Sequence, residues 1–280
     1  MAEYTNLTSL EGLQVGDTVK YTSDTPIDFS GYSVKVVLDG GYNSEGRQAY
    51  GGETSFNIDT SKLRESFLFT TSWGVSLLYR VSSTSDSNYT PYYRIAVAGR
   101  AGSLSTGDAK NTGTGGGLTG GKGGSGPLSF YTSGGGGTQT SGGAAGNGGN
   151  VGRFGYGGSG SAGTGGAGWY GGGGAKYAGG GGGSGFIIGV STTTYPSGYL
   201  GDDTALQSLI ASTISEGTLV NGGGSVSSMT LTILALPAAG TGNSIKYYTN
   251  GAWKDATMKV YTKGVWKSAS PKVYKDSTWK

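Results

Sequence analysis

Cysteine and histidine are both absent from the 280 residues. Without cysteine there is no disulfide, no thiolate nucleophile and no thiolate metal site, and the redox compartment cannot be read. Without histidine the commonest general base, the commonest metal ligand and every histidine-dependent triad are missing, which weighs against an enzyme. Proline is scarce, 6 residues against 60 glycines, so no collagen-like Gly-X-Y frame is sustained. The balance of 20 basic and 17 acidic residues gives a formal charge of +3, too small a field to draw the whole molecule to nucleic acid or anionic lipid. No stretch approaches the ~18 apolar residues of a membrane span. The start, MAEYTNLTSLEGL, has neither the basic head nor the apolar run of an export signal. Asn6-Leu7-Thr8 and Asn88-Tyr89-Thr90 match the N-glycosylation pattern and, with no export signal visible, are expected to be chance matches.

What is present divides the chain into four stretches: 1–98, 99–189, 190–240 and 241–280. The first predicts β structure. Tyr32, Val34, Val36 and Leu38 alternate, as do Tyr93, Ile95 and Val97, while Phe67 with Phe69 and the run Val75 to Val81 add two further strands. Asp39-Gly40-Gly41, Gly51-Gly52 and Ser82 to Asn88 are expected turns between them. In the third stretch, residues 203–216 predict a helix, capped by Asp202 or Asp203, with Leu206, Leu209, Ile210 and Ile214 on one face and Gly217 as its stop. A strand over 226–236 follows, with Met229, Leu231, Ile233 and Ala235 at period two, and Pro237 ends it.

The last stretch repeats with a period of 13: KYYTNGAWKDATM, KVYTKGVWKSASP, KVYKDSTWK. Lys246, Lys259 and Lys272 align, as do Tyr248, Tyr261 and Tyr274, and Trp253, Trp266 and Trp279. Two-residue turns at Asn250-Gly251, Lys263-Gly264 and Asp276-Ser277 would set each tyrosine opposite its tryptophan, so each unit is expected to be a hairpin clipped by an aromatic pair, with the lysines available on the other face.

Residues 99–189 are the unusual part, since 101–190 alone hold 40 glycines. Glycines spaced by three form columns: 143, 146, 149, 152, 155 and 158; 117, 120, 123 and 126; 165, 168, 171 and 174; 179, 182 and 185. In the polyproline II conformation one turn takes three residues and makes no internal hydrogen bond, so a column of glycines lets a neighbouring chain approach and exchange N–H and C=O bonds. Ordering each glycine costs roughly 1–2 kcal/mol of backbone entropy, so single helices would not hold but a bundle could.

The run GGAGWYGGGGAKYAGGGGGSGFI, from Gly165 to Ile187, entered by the strand Arg94-Ile95-Ala96-Val97-Ala98-Gly99, resembles the glycine-rich domain of the anaplastic lymphoma kinase family. The same domain type recurs in bacteriophage tail proteins, whose opening Leu10-Glu11-Gly12-Leu13-Gln14-Val15-Gly16-Asp17 resembles. The repeats GAWKDATMKVY and GVWKSASPKVY are similar to the Trp-Lys units ending many minor structural proteins of phages of Gram-positive bacteria. The resemblance implies a mostly β fold: a β-sandwich of jelly-roll or TNF-like type bearing an inserted bundle of polyglycine II helices, one short α-helix and C-terminal β-hairpin repeats. It also implies a non-enzymatic virion protein, a receptor-binding tail or fibre component or else a purely structural or decoration protein. Its partners would be other virion proteins and a bacterial cell-surface glycan or protein receptor, with a homotrimer as one assembly; no cofactor, nucleic acid or membrane insertion is expected. The distal adhesins of T-even phage fibres recognise their hosts through loops at the end of such a bundle, though this chain lacks their long variable loops.

On that basis Arg153, Phe154 and Tyr156 form a candidate tip loop for a glycan or anionic group, and Lys176 with Tyr177 joins them as candidate receptor contacts. The competing reading packs Phe154 and Tyr156 on the bundle or the sandwich. Trp169 and Tyr170, shared with the receptor-kinase pattern, are expected to be structural and to close one end of the bundle. Tyr248, Trp253, Tyr261, Trp266, Tyr274 and Trp279, among eight lysines from Lys246 onward, are candidates for binding a polyanionic cell-wall polymer or a virion protein. GRFGYGG suggests an RNA-associated segment, but the block holds only Arg100 and Arg153 and no accompanying module. An ice-binding or cell-wall structural role would suit glycine helices but leaves the repeats and the opening unexplained. Asp202-Asp203, and Glu11 with Asp17, are the close carboxylate sets, and Asp202-Asp203 suits a helix cap better than a hydrolase.

Overall fold

A computed structural model describes residues 2–41, 49–104, 112–126, 128, 130–192 and 194–237, and, between 245 and 279, the backbone of short paired strands. The chain divides into two units, Met1–Leu236 and Pro237–Lys280. The first is mostly β. In chain order its strands are β1 Glu3–Thr5, β2 Thr18–Tyr21, β3 Thr25–Ile27, β4 Ser33–Gly40, β5 Gly51–Asp59, β6 Phe67–Thr70, β7 Val75–Tyr79, β8 Arg94–Ala98, β9 Phe186–Ile187, β10 Ile214–Gly224 and β11 Ser227–Ala235, with the helix α1 at Thr204–Ser212.

Six strands make one sheet in the order β1-β2-β11-β4-β5-β10, and five make the other in the order β3-β6-β7-β8-β9. Only β1 with β2 is parallel among these pairs. In β4 the alternation does what its pattern implies: Val34, Val36 and Leu38 are buried and pair with Ile58, Phe56 and Thr54 of β5 on one side and with Ile233, Leu231 and Met229 of β11 on the other. Both sheets supply one hydrophobic cluster, in which Tyr21, Phe56 and Leu231 of the first meet Phe67, Phe69, Leu77 and Val97 of the second. The opening Leu10 to Asp17 is a turn fixed to that core. Leu10 and Leu13 are buried, Gly12 and Gly16 take positive φ, and the Asp17 carboxylate accepts from Ala2 N (2.8 Å) and Gln14 N (3.0 Å), which holds it below the usual carboxylate range.

Two expectations change. The helix ends at Ser212 with Thr213 as its C-cap, and Ile214 begins β10. Asp203 is the cap, accepting from Leu206 N at 2.9 Å, and Leu206 and Ile210 are the buried positions while Leu209 is exposed. Pairing along the β5 edge takes Ile214 and Ser215 out of the helix, and a register shift follows where Glu216 adopts φ 53. Gly51-Gly52, expected as a turn, instead starts β5. A Cβ on Gly52 would collide with the Gly116 Cα, so the bare strand lets the glycine block dock there, and Gly52 N donates to Gly99 O at 2.8 Å.

The block itself leaves the second sheet at β8 and returns at β9, the neighbouring strand. Between them the backbone bonds step by three residues. Gly120 and Gly123 donate to Gly137 and Gly134, so those segments are antiparallel, whereas Gly134 and Gly137 donate to Gly179 and Gly182, and Gly143 and Gly146 to Gly171 and Gly174, in parallel. The segments therefore run alternately away from the sheets and back. Contacts are backbone to backbone: a Cβ at Gly143, Gly152, Gly172 or Gly182 would collide with a neighbouring carbonyl.

In the second unit three two-stranded ladders follow one another: β12 Ile245–Thr249 with β13 Ala252–Ala256, β14 Lys259–Thr262 with β15 Val265–Ser268, and β16 Tyr274–Lys275 with β17 Thr278–Trp279. Their registers set Tyr248 opposite Trp253, Tyr261 opposite Trp266 and Tyr274 opposite Trp279. In the same registers Lys246 pairs with Asp255 and Lys259 with Ser268, while Lys254 pairs with Tyr247 and Lys267 with Val260. The connecting residues 250–251, 263–264 and 276–277, on which the turn expectation fell, lie outside the described residues, as does Lys272.

Candidate functional site

Where the glycine segments reach the sheets, Arg94 is fully buried. Its Nε donates to Pro91 O (2.8 Å), Nη1 to Trp73 O (2.8 Å) and Gly168 O (2.7 Å), and Nη2 to Trp169 O (3.2 Å). Its Cζ lies 4.8 Å from the Phe154 ring centroid and 5.3 Å from that of Trp169. Burial pushes the guanidinium down to about 9, so it remains a cation at neutral pH. Trp169 is fully buried, stacks on Phe186 at 3.7 Å and 7°, and meets Tyr199 and Phe154 edge-on; its Nε1 donates to Gln139 O at 3.1 Å. These groups hold the block to the sheets rather than presenting a surface.

The Arg153–Tyr156 turn belongs to this end. Arg153 and Tyr156 exchange both backbone bonds around Phe154-Gly155, and Gly155, at φ 82, packs against Pro91 and Trp73. It is therefore not an outer tip. Phe154 points inward and is half-buried among Tyr92, Trp169 and Tyr170, whereas Arg153 and Tyr156 are exposed. A shallow groove of about 430 Å³ runs past Arg153 between Asn150, Val151 and Ser159.

Lys176 and Tyr177 lie at the opposite, outer end. There the turns between outgoing and returning segments gather: Gly126 N donates to Tyr131 O (3.3 Å), Lys176 N to Asn147 O (2.9 Å), and Asn147 Oδ1 accepts from Thr132 N (2.7 Å). The Tyr131 and Tyr177 rings are 4.7 Å apart, Phe130 is 4.5 Å from Tyr131, and Lys176 Nζ sits 4.9 Å over Tyr177. Tyr177 is 44 % and Phe130 62 % exposed, with Leu128 beside them in sequence also exposed. A hydrogen bond to Tyr177 raises the Lys176 ammonium above the usual lysine range. So the five candidates split between two ends of the block, and the outer cluster adds Phe130 and Tyr131. Their signal in the sequence was an aromatic pair interrupting the glycines, next to Pro127 and far from Tyr177.

Three of the four close carboxylates are committed to the backbone: Asp203 caps α1, Asp202 accepts from Gly198 N at 2.7 Å, and Asp17 closes its turn. Among the described residues there is no cluster of metal-ligating side chains, and no helix is long and apolar enough to cross a membrane. No family model, curated protein or solved structure matches the chain.

Proposed function

We propose that the protein is a non-enzymatic structural protein of a tailed phage or phage-like particle, exposed on the virion, and that it attaches the particle to its host as a tail or fibre component. In this reading the two sheets are a sandwich and the glycine segments are polyglycine II helices, whose three-residue period fits the three-residue step of their hydrogen bonds. The observation that carries it is the outer cluster: Tyr177 and Lys176 are exposed, with Tyr131 half-buried beside them, where the turns of a side-chain-poor block converge, so binding groups sit on backbone already ordered by bonds between segments. The receptor is a cell-surface glycan or protein. Other virion proteins bind elsewhere, the Tyr–Trp repeats from Tyr248 to Trp279 being the candidate, and a homotrimer is one form of assembly. No role follows for nucleic acid, membrane insertion or a cofactor.

The alternative is a structural or decoration protein that binds no receptor. It is favoured by the inward packing of Phe154 and Trp169, which turns two prominent aromatics of the block to structural use. Incubating host cells with purified protein, then measuring bound protein and phage infection, separates the two. Host binding with blocked infection supports attachment; binding to particles lacking this protein, without host binding, supports the alternative.

A further inference from the structure

We infer that the outer cluster of Lys176, Tyr177 and Tyr131 is a binding site for an acidic saccharide, one carrying a carboxylate or phosphate on a pyranose ring. This specifies the ligand of the host-attachment site and rests on that reading for its biological setting. The aromatic part comes from Tyr131 and Tyr177, tilted by 38° at 4.7 Å and continued by the exposed Phe130. Two tilted phenol faces offer the flat apolar surface that the C–H face of a sugar covers, and their hydroxyls, with the Lys176 ammonium, supply hydrogen-bonding groups at the rim.

Charge decides between neutral and acidic sugars. From Gly99 to Gly189 the chain has Arg100, Lys110, Lys122, Arg153 and Lys176 against the single acid Asp108. Lys176 Nζ stands over the Tyr177 ring, and its described contacts are with tyrosines rather than a carboxylate. Lys122 is exposed on the segment that leads to this end. An ammonium held against an aromatic face, with no acidic partner among the described residues, is placed to meet an anionic group on a ring stacked beside it.

The cluster is also held in place. Asn147 ties the turn at Thr132 to Lys176 N, and a Cβ at Gly126 would collide with the Tyr177 carbonyl and lie 2.7 Å from the Tyr131 Cβ, so the segments carrying the two rings are packed together before any ligand arrives.

The test uses the whole protein on immobilised oligosaccharides in matched neutral, uronic-acid and sugar-phosphate forms, with Tyr177→Ala and Lys176→Gln compared after circular dichroism shows both folded. Both side chains are exposed, so folding should survive. Retention of acidic over neutral forms, a loss of about tenfold in Tyr177→Ala, and loss of the acid preference in Lys176→Gln are expected. Equal retention of neutral and acidic forms, or unchanged binding in Tyr177→Ala, overturns the inference. Host-cell binding is measured on the same samples. If wild type and Tyr177→Ala bind cells equally, the site is wrong while attachment stands. If Tyr177-dependent saccharide binding occurs without any cell binding, the site stands while attachment fails.

Discussion

The Arg94 guanidinium donates to the Gly168 carbonyl at 2.7 Å, joining residues 74 positions apart and pinning the glycine block to the strand from which it leaves. Among the described residues no carboxylate takes part. Four backbone carbonyls, from Trp73, Pro91, Gly168 and Trp169, share the charge, and each would lose its partner together. Arg94→Met should therefore destabilise the first unit by about 3 kcal/mol, because it leaves buried acceptors unpaired. Arg94→Lys keeps the charge but not the planar fork, and should recover only part of the loss. Denaturant unfolding measures both; a cost under about 1 kcal/mol for the methionine variant would contradict the pinning role.

Glycine in the block should be needed only where backbones touch. A Cβ at Gly172 would collide with the Gly181 carbonyl, whereas one at Gly135 would meet nothing nearer than Ala144 N at 3.1 Å. Gly172→Ala should cost more than about 3 kcal/mol or prevent folding, and Gly135→Ala about 1 kcal/mol or less. Amide exchange offers an independent check. Gly143, Gly146, Gly152 and Gly158 donate to Gly171, Gly174, Gly143 and Gly172 at 2.8–2.9 Å, and these amides should exchange slowly; random-coil rates throughout would rule out an ordered block.

What the sequence revealed follows from how local the cause is. Val34, Val36 and Leu38 alternate because one side of β4 faces the shared core, and that needs no distant information. β10 was hidden because it is a mostly exposed edge strand whose residues are held by pairing with β5, 150 or more positions away, so Ile214 could be counted on a helix face. Arg94 was hidden for a similar reason: its acceptors come from three separate segments, and a lone arginine at a strand start carries no mark of burial. The outer site was half legible. Lys176-Tyr177 stands out among glycines, but its pairing with Tyr131 depends on which segments run outward and which return, and the three-residue spacing does not encode direction.

Stability should fall on the alkaline side. Burial pushes the Tyr21 and Tyr199 hydroxyls well above the ordinary tyrosine range, and Tyr32, Tyr79, Tyr89, Tyr170 and Tyr195 upward as well. Above about pH 10 the unfolded chain releases these protons while the folded chain keeps them, so the stability present below that pH is lost as it rises toward the folded values. Arg94 and Arg100, both lowered by burial, work in the opposite direction, but two groups stand against two strongly shifted and five further tyrosines. The part of the tyrosinate absorbance that belongs to the buried hydroxyls should appear together with the loss of circular dichroism, above pH 10. Tyrosinate appearing in full with the fold intact would contradict the burial of these hydroxyls.

The C-terminal repeats make a separate prediction, because each ladder is short and its cross-strand partners are few. Tyr261 faces Trp266 at the centre of the β14–β15 register, between Lys259↔Ser268 and Thr262↔Val265. A two-stranded hairpin is marginal in water, and an aromatic cross-strand pair contributes roughly 0.2–1 kcal/mol, a large part of what it has. Trp266→Ala should thus open that ladder and quicken amide exchange at Val260 and Thr262, while exchange in β12–β13 changes little if each unit holds itself. Among the described residues the core of the first unit runs no further than Ile233, and the thermal transition of that unit is expected not to move. A shifted transition would show that the repeats help to hold the first unit; unchanged exchange around Tyr261 would show that the aromatic pair is not what holds the ladder.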